Sequence, residues 1–313
     1  MDMYQKREMR KNKKMDENTK GLPSTSINWF PGHMAKAQRK LKESLGNVDV
    51  VIELLDARIP LSSRNPDIDK ILSDKPRIIV LNKSDLSDEK ISLSWKKYFE
   101  NIGQDCILFS IKDSKSINVF MNKVLQKMSY KLKNWEAKGA VGQKLRLMIV
   151  GIPNVGKSSF INRICKNSKA KVENRPGVTR SNQWFTCGDK IQILDTPGVL
   201  WPKFQDNTTA LDLAFTGAIK DQILDVEDLS VRFIEKIRSR YMDNLCERFK
   251  LDKSKIENLS SFEILEYIGR KRGALISGAE VDITRISNIV LEEFRSGKLG
   301  KITLEIPYDK QGE

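Results

Sequence analysis

Two glycines, a lysine and a hydroxyl share the segment Gly151-Ile152-Pro153-Asn154-Val155-Gly156-Lys157-Ser158, at a spacing suited to phosphate. Gly151 and Gly156 let the backbone curl so that successive N–H groups face one anion, and a helix opening at Ser158 adds its positive end. Lys157 is expected to reach the outer phosphates and the Ser158 hydroxyl to ligate Mg2+, with Asn154, Val155, Gly156 and Ser159 lining the cradle. The motif needs a strand before it and a helix after it. The apolar run Leu145 to Val150 and the amphipathic stretch Ser158 to Cys165 supply both.

A second polar cluster reads a base. The apolar run Arg77 to Leu81 ends in Asn82-Lys83-Ser84-Asp85, which puts these side chains at the C-terminal end of a strand, where open α/β sheets bind ligands. The Asp85 carboxylate can accept from both N1–H and the 2-amino group of guanine, a pair of donors that adenine lacks. A site built for two donors discriminates strongly, because the wrong base leaves the carboxylate unsatisfied. Asn82, Lys83 and Asp85 therefore predict a guanine nucleotide, GTP or GDP, with Ser110 after the run Asp105 to Phe109 as a helper. Farther on, Asp195-Thr196-Pro197-Gly198 supplies a carboxylate for Mg2+ and a Gly198 N–H for the γ-phosphate, and Pro176-Gly177-Val178-Thr179 offers Thr179 as a second metal hydroxyl. Lys157, Thr179 and Gly198 are thus the candidate catalytic groups on the phosphate side.

The order of these motifs is rotated, with the guanine-reading segment preceding the phosphate loop. Runs at Val48 to Leu55, Arg77 to Leu81, Asp105 to Phe109, Leu145 to Val150, Gln183 to Cys187 and Lys190 to Leu194 predict a mostly parallel six-stranded sheet with helices on both faces. That is an α/β, circularly permuted P-loop GTPase domain, whose former ends are joined by a helical stretch from Ile117 to Trp135. Permutation preserves the spatial contacts when the old ends are joined. Beyond about Gln205 the period turns helical: Leu229 to Ile237 has helical spacing, and Ser260 to Glu263 reads as a capping box. The expected division is a basic leader over residues 1–26, the GTPase domain over 27–205 and a smaller all-α domain over 206–313.

The chain has 313 residues and a formal net charge of +14, unevenly placed. Residues 1–200 carry 37 Lys/Arg against 21 Asp/Glu, and residues 201–313 carry 18 against 20. A basic surface of this kind favours a polyanion such as RNA, although solubility also accounts for it. Lys123, Lys127, Lys131, Lys133 and Lys138 are the candidate phosphate contacts; Arg232, Lys236, Arg238, Arg240, Arg270, Lys271 and Arg272 form basic clusters in the helical part that suit either solvated helix faces or RNA. The leader has no apolar core for a secretory signal, and no stretch is apolar enough to span a bilayer. Four cysteines without zinc or redox spacing read as reduced thiols of a cytoplasmic protein.

His33, the only histidine, lies in Asn28-Trp29-Phe30-Pro31-Gly32-His33-Met34. Val199 follows Gly198 where a water-orienting glutamine often stands, and a valine cannot orient water. His33 either supplies that polar group or packs as a turn histidine beside Trp29 and Phe30.

Taken together, Asn28 to Ala37, the DARIP segment Asp56 to Pro60, Asn82 to Asp85, the phosphate loop, Pro176 to Thr179 and Asp195 to Pro202 resemble the bacterial YlqF/RbgA family of circularly permuted ribosome-assembly GTPases. The resemblance implies GTP hydrolysis that is slow alone and stimulated by the ribosomal particle, with the large ribosomal subunit precursor and its rRNA as partners. It implies a catalytic His33, and a K+ ion at Asn154 beside the Mg2+ held by Ser158, Thr179 and Asp195. It leaves no role for a membrane or DNA and implies a monomer away from the ribosome. An RNA-binding assembly scaffold, in which GTP controls affinity and hydrolysis is incidental, is the alternative.

Overall fold

The computed structural model describes residues 39, 41–140, 142–166, 183–196, 198, 206–219 and 225–307. Its centre is a six-stranded sheet: β1 (Val50–Asp56), β2 (Arg77–Asn82), β3 (Asp105–Leu108), β4 (Leu145–Val150), β5 (Gln183–Cys187) and β6 (Ile191–Asp195). The spatial order is β3-β2-β1-β4-β6-β5. All neighbours run parallel except the β5–β6 hairpin. β1 is buried along its whole length, as the apolar run Val-Val-Ile-Glu-Leu-Leu demands of a central strand covered on both faces.

The strand period sorts the core. Val50, Ile52 and Leu54 point into one cluster with Phe109, Phe120 and Phe160. Val51 and Leu55 point to the opposite face, Val51 against Ile68 and Ile71 of α1 (Ile68–Leu72) and Leu55 against Trp95 and Phe99 of α2 (Glu89–Asn101). Helices thus cover both faces. Glu53 and Asp56 are the charged exceptions within β1; Glu53 is buried with Arg64 and Arg77 as its partners. Burial pushes its carboxyl up, and the two guanidiniums pull it back only in part.

The link between β3 and β4 is two helices, α3 (Ser114–Lys127) and α4 (Ser129–Ala137), where the sequence predicts one. Met128 separates them with ψ at 12°, while its carbonyl still accepts from Leu132. α3 opens on an Asp113 cap and buries Ile117, Phe120 and Val124 on the sheet. α5 (Lys157–Lys166) follows β4.

The helical part comprises α6 (Asn207–Phe215), α7 (Val226–Phe249), α8 (Lys253–Ile256), α9 (Ser261–Arg272) and α10 (Ile283–Ser296). α9 opens on the predicted capping box, Ser260 with Glu263. Leu229, Phe233, Ile234 and Ile237 form the buried stripe of α7. One continuous core joins Phe215, Phe233 and Phe294 to the sheet residues, so the helices grow out of the sheet's own hydrophobic interior.

Residues 302–305 return to the sheet. The Ile302 N–H donates to the Leu86 carbonyl at 3.0 Å, and the Leu304 N–H to the Arg58 carbonyl at 2.8 Å. Glu305 accepts from the amides of Leu61 and Ser62 at 2.7 and 2.9 Å, while its own carbonyl accepts from the Trp95 indole. This segment braces the loops after β1 and β2 together.

Cys165 and Cys187 correct the reading of reduced thiols: they are joined in a disulfide. The packing of α5 against the hairpin brings their Cα atoms to 4.5 Å, a proximity that a separation of 22 residues does not announce. Cys106 keeps its thiol, which burial pushes up in pKa. Among the described residues no helix is long and apolar enough to cross a membrane.

Candidate nucleotide site

The strand order turns at β1 and β4; the phosphate loop leaves the carboxyl end of β4 at that point, and the Asn82 to Asp85 loop leaves the same end of β2, one strand beyond β1. After β4, the phosphate loop lies close against β1. A Cβ on Gly151 would come within 2.6 Å of the Leu54 carbonyl oxygen, so only glycine leaves the two strands in their places. Gly156 has φ at +98°, and a Cβ there would meet the Asn82 side chain at 2.6 Å. Asn154 holds a left-handed φ of 57° between them. Val155 anchors the loop in the core, Ser158 is half-buried at the opening of α5 and Ser159 is exposed.

Lys157 is buried and curls back over the loop, donating to the Gly151 and Ile152 carbonyls at 2.9 and 2.8 Å. Burial lowers its pKa to about 8, with Asp195 offsetting only part of that fall. Asp195 ends β6, buried. Gly198 packs against the phosphate loop: a Cβ on it would stand 2.8 Å from Lys157 Nζ and 2.9 Å from the Pro153 nitrogen. Lys157, Ser158, Asp195 and Gly198 are thereby gathered around one loop.

The guanine-reading segment is bonded to the same loop. Asn82 Nδ2 donates to the Val155 carbonyl at 2.8 Å, and Lys83 Nζ to the Asn154 carbonyl at 2.7 Å. Asp85 accepts from the Ser110 hydroxyl at 2.9 Å and pairs with Lys112 at 2.9 Å. Burial pushes the Asp85 carboxyl up, but hydrogen bonds from Lys112 and Ser110 outweigh it and hold the group ionised, an acceptor only. Lys112 is a participant that the sequence reading passed over. Its one signal was its place two residues after Ser110.

Asp56 and the salt bridge it makes were also missed as site residues. The partner is Arg58, whose guanidinium grips Asp56 and lies over the Phe294 ring. His33, Thr179 and Val199 lie outside the described residues, as does the leader.

The residues offered for RNA separate into two groups. Lys123 and Lys127 pair with Asp105, Lys131 with Asp49, and Lys236 with the buried Asp212. Arg238 donates to carbonyls of Glu257 and Leu259, and Arg272 pairs with Glu293. Lys133, Lys138, Arg270 and Lys271 stay exposed.

Among the described residues no cluster of three or more His, Cys, Asp or Glu could cage a metal. Mg2+ asks for less: one or two protein oxygens, the rest being phosphate and water. The Ser158 hydroxyl and the Asp195 carboxylate, both beside Lys157, are such a hard-oxygen pair, so the donor chemistry fits.

Known proteins agree with this geometry. A family model described as a 50S ribosome-binding GTPase matches residues 146–259. "Ribosome biogenesis GTPase A" of Bacillus cereus is 44% identical over 281 residues, covering 90% of this chain and 94% of that protein. Its namesake in Thermotoga maritima is 32% identical over 285 residues, covering 90% and 95%. Among solved structures, the GDP-bound TM YlqF aligns with a TM-score of 0.62 at 29% identity, covering 87% of this chain and all of that one. The GNP-bound YlqF from T. maritima aligns at 0.60 and 28%, covering 88% and 99%. With a rotated sheet, two joined nucleotide loops and this degree of identity along nine-tenths of its length, the chain belongs to the ribosome biogenesis GTPase A (YlqF/RbgA) family.

Proposed function

We propose that the chain is a nucleotide-dependent switch acting on the precursor of the large ribosomal subunit. As a member of its family it is a GTP-hydrolysing ribosome assembly factor, and GTPases generally use Mg2+. In our reading GTP lies along the seam between the phosphate loop and the guanine loop. Asp85 accepts from the base, Asn82 and Lys83 hold the two loops in register, and Ser110 orients the Asp85 carboxylate. Lys157 leaves its two loop carbonyls for the phosphates. Ser158, Asp195 and Thr179 hold Mg2+, and the Gly198 N–H senses the γ-phosphate. Asn154 donates its side-chain nitrogen to the Gly217 carbonyl, so its carboxamide oxygen is the atom offered to K+.

The observation that carries this reading is the pair of bonds from Asn82 and Lys83 to the phosphate loop, which joins base recognition to phosphate binding. The chain divides as a leader over 1–26, a GTPase domain over 27–205 and an RNA-docking helical domain over 206–313. It works in the cytoplasm as a monomer, on rRNA, and not on DNA or a membrane. Docking sets His33 to orient the attacking water, and hydrolysis releases the protein. Partner activation of this kind reaches roughly 10⁵-fold, because positioning and electrostatics supply nearly all of the catalysis.

The test is GTP turnover with and without purified large subunits, in potassium and in sodium, for the native chain and His33→Ala. Stimulation by the particle, larger in potassium and lost in His33→Ala with GTP affinity retained, is the expected result. Turnover that is already fast and indifferent to the particle would refute the docking account, and an active His33→Ala would favour a scaffold.

A further inference from the structure

Asp56 is buried, yet it accepts four hydrogen bonds from two cations and an amide. Arg58 grips it from both sides, Nε to Oδ1 at 2.9 Å and Nη2 to Oδ2 at 2.8 Å, while the Arg58 N–H also reaches Oδ1. Such a fork fixes the plane of the carboxylate. Oδ2 also takes Lys83 Nζ at 3.0 Å, and the same ammonium donates to the Asn154 carbonyl. Lys83 itself holds a left-handed φ of 60°, a conformation a lysine keeps only when its surroundings impose it.

Buried ion pairs seldom repay their desolvation, and an apolar pair of similar volume commonly serves stability as well or better. Here burial pushes the Asp56 carboxyl up, yet Arg58 and Lys83 overcome it and hold the carboxyl well below the usual carboxylate range. The charge is kept, and its geometry points at the guanine loop. Arg58 is also held on its far side. Its guanidinium lies 4.9 Å from the Phe294 ring centroid, its Nη1 approaches the Arg295 carbonyl at the end of α10, and its own carbonyl accepts from Leu304. Arg295 in turn donates to the carbonyls of Phe215 and Ala214 at the end of α6, one turn before the Gly217 carbonyl that takes Asn154. The contacts close a ring: phosphate loop, Lys83, Asp56, Arg58, α10, α6 and back to the phosphate loop.

We propose that Asp56 and Arg58 are positioning residues of the nucleotide site, which set Lys83 across the phosphate loop and tie its placement to the seating of α10. Neither touches the nucleotide; both act through Lys83. The proposal rests on the guanine-loop reading above.

The test is a double-mutant cycle on binding of a fluorescent GDP to the full chain, using Lys83→Met, Arg58→Met and the two together. Each single change should weaken GDP roughly tenfold, the scale of one lost hydrogen bond to a charged group. The double variant should be little weaker than either single one, since both remove the same restraint. Arg58→Lys, which keeps the charge and loses the fork, should recover part of the affinity. A merely structural Arg58 would give losses that multiply, and that outcome overturns the proposal, as does GDP binding unchanged in Arg58→Met. If Lys83→Met binds GDP normally, the guanine-loop reading falls first and the proposal with it. Should Arg58→Met fail to fold, Asp56→Asn with Arg58→Met removes the pair without leaving a buried carboxylate behind and takes its place in the cycle. A second readout reports the link to α10: GDP should slow amide exchange over residues 293–299 in the native chain and not in the Arg58 variant. Persistence of that response in the variant would overturn the coupling.

Discussion

Asn154 Nδ2 stands 2.6 Å from the Gly217 carbonyl oxygen, joining the phosphate loop directly to the end of α6. The loop that would surround the phosphates therefore also holds the first helix of the helical part. Asn154→Ala should loosen residues 214–219, speeding their amide exchange, and lower stability by about 1 kcal/mol in denaturant unfolding. Exchange unchanged at those residues would remove the tether from the account.

Asp85→Asn should move preference from GTP toward xanthosine triphosphate, because an amide presents a donor where the carboxylate accepts. Ser110→Ala removes the hydroxyl that orients that carboxylate and should weaken GDP by about fivefold, one ordinary hydrogen bond. Competition binding with both nucleotides decides the first, and retained GTP selectivity in Asp85→Asn would reject the assignment.

Gly156→Ala asks a side chain to enter at φ +98° and to sit 2.6 Å from the Asn82 amide. Both the strain and the clash fall on the seam between the loops, so GDP affinity should drop at least about tenfold, a minimum set by the backbone strain alone. Circular dichroism should show the sheet intact; a variant that binds GDP as tightly as the native chain would contradict the close approach.

Lys157 carries the pH dependence. Burial holds its pKa at about 8, below the ordinary 10.5, and a polyphosphate beside it raises that value. Binding near pH 8.5 must then take up a proton, and affinity must fall as pH rises through 8. Titration calorimetry in two buffers of different ionisation enthalpy measures the uptake, and Lys157→Met should abolish it. For folding the sign is the reverse of a stabilising pair. The folded chain releases this proton more readily than the unfolded one, so the cost of burying the charge is fully present below pH 8 and is relieved between pH 8 and 10.5.

Lys133 and Lys138 are exposed on and just beyond α4, whereas Lys123, Lys127 and Lys131 along the same link are engaged with carboxylates. Neutralising Lys133 and Lys138 should weaken binding to large subunits and reduce its salt slope by about 1 per lysine. An unchanged slope would locate the polyanion surface elsewhere.

Legibility followed the range over which residues act. The phosphate loop and its flanks are local, and β4 and β5 match their predicted limits, because a run of five or six consecutive residues specifies a strand and its turn. The guanine loop was equally plain. What escaped was long-range pairing. Arg58 and Asp56 sit two residues apart, but their partners are Lys83 and residues beyond 290, so nothing adjacent shows why the pair is there. Lys236 and Arg272 looked like free cations because Asp212 and Glu293 are distant in the chain. The break at Met128 escaped because amphipathic spacing continues across it.

The segment 302–305 gives the molecule a timetable. Leu86 waits for its partner Ile302, and Ser62 for Glu305, more than two hundred residues downstream. At ordinary translation rates that interval is on the order of 10–40 s. Throughout it the loops after β1 and β2 stand beside a ribosome without their brace, so a nascent chain finishes this end of its sheet only after residues 302–305 have been made and have come back.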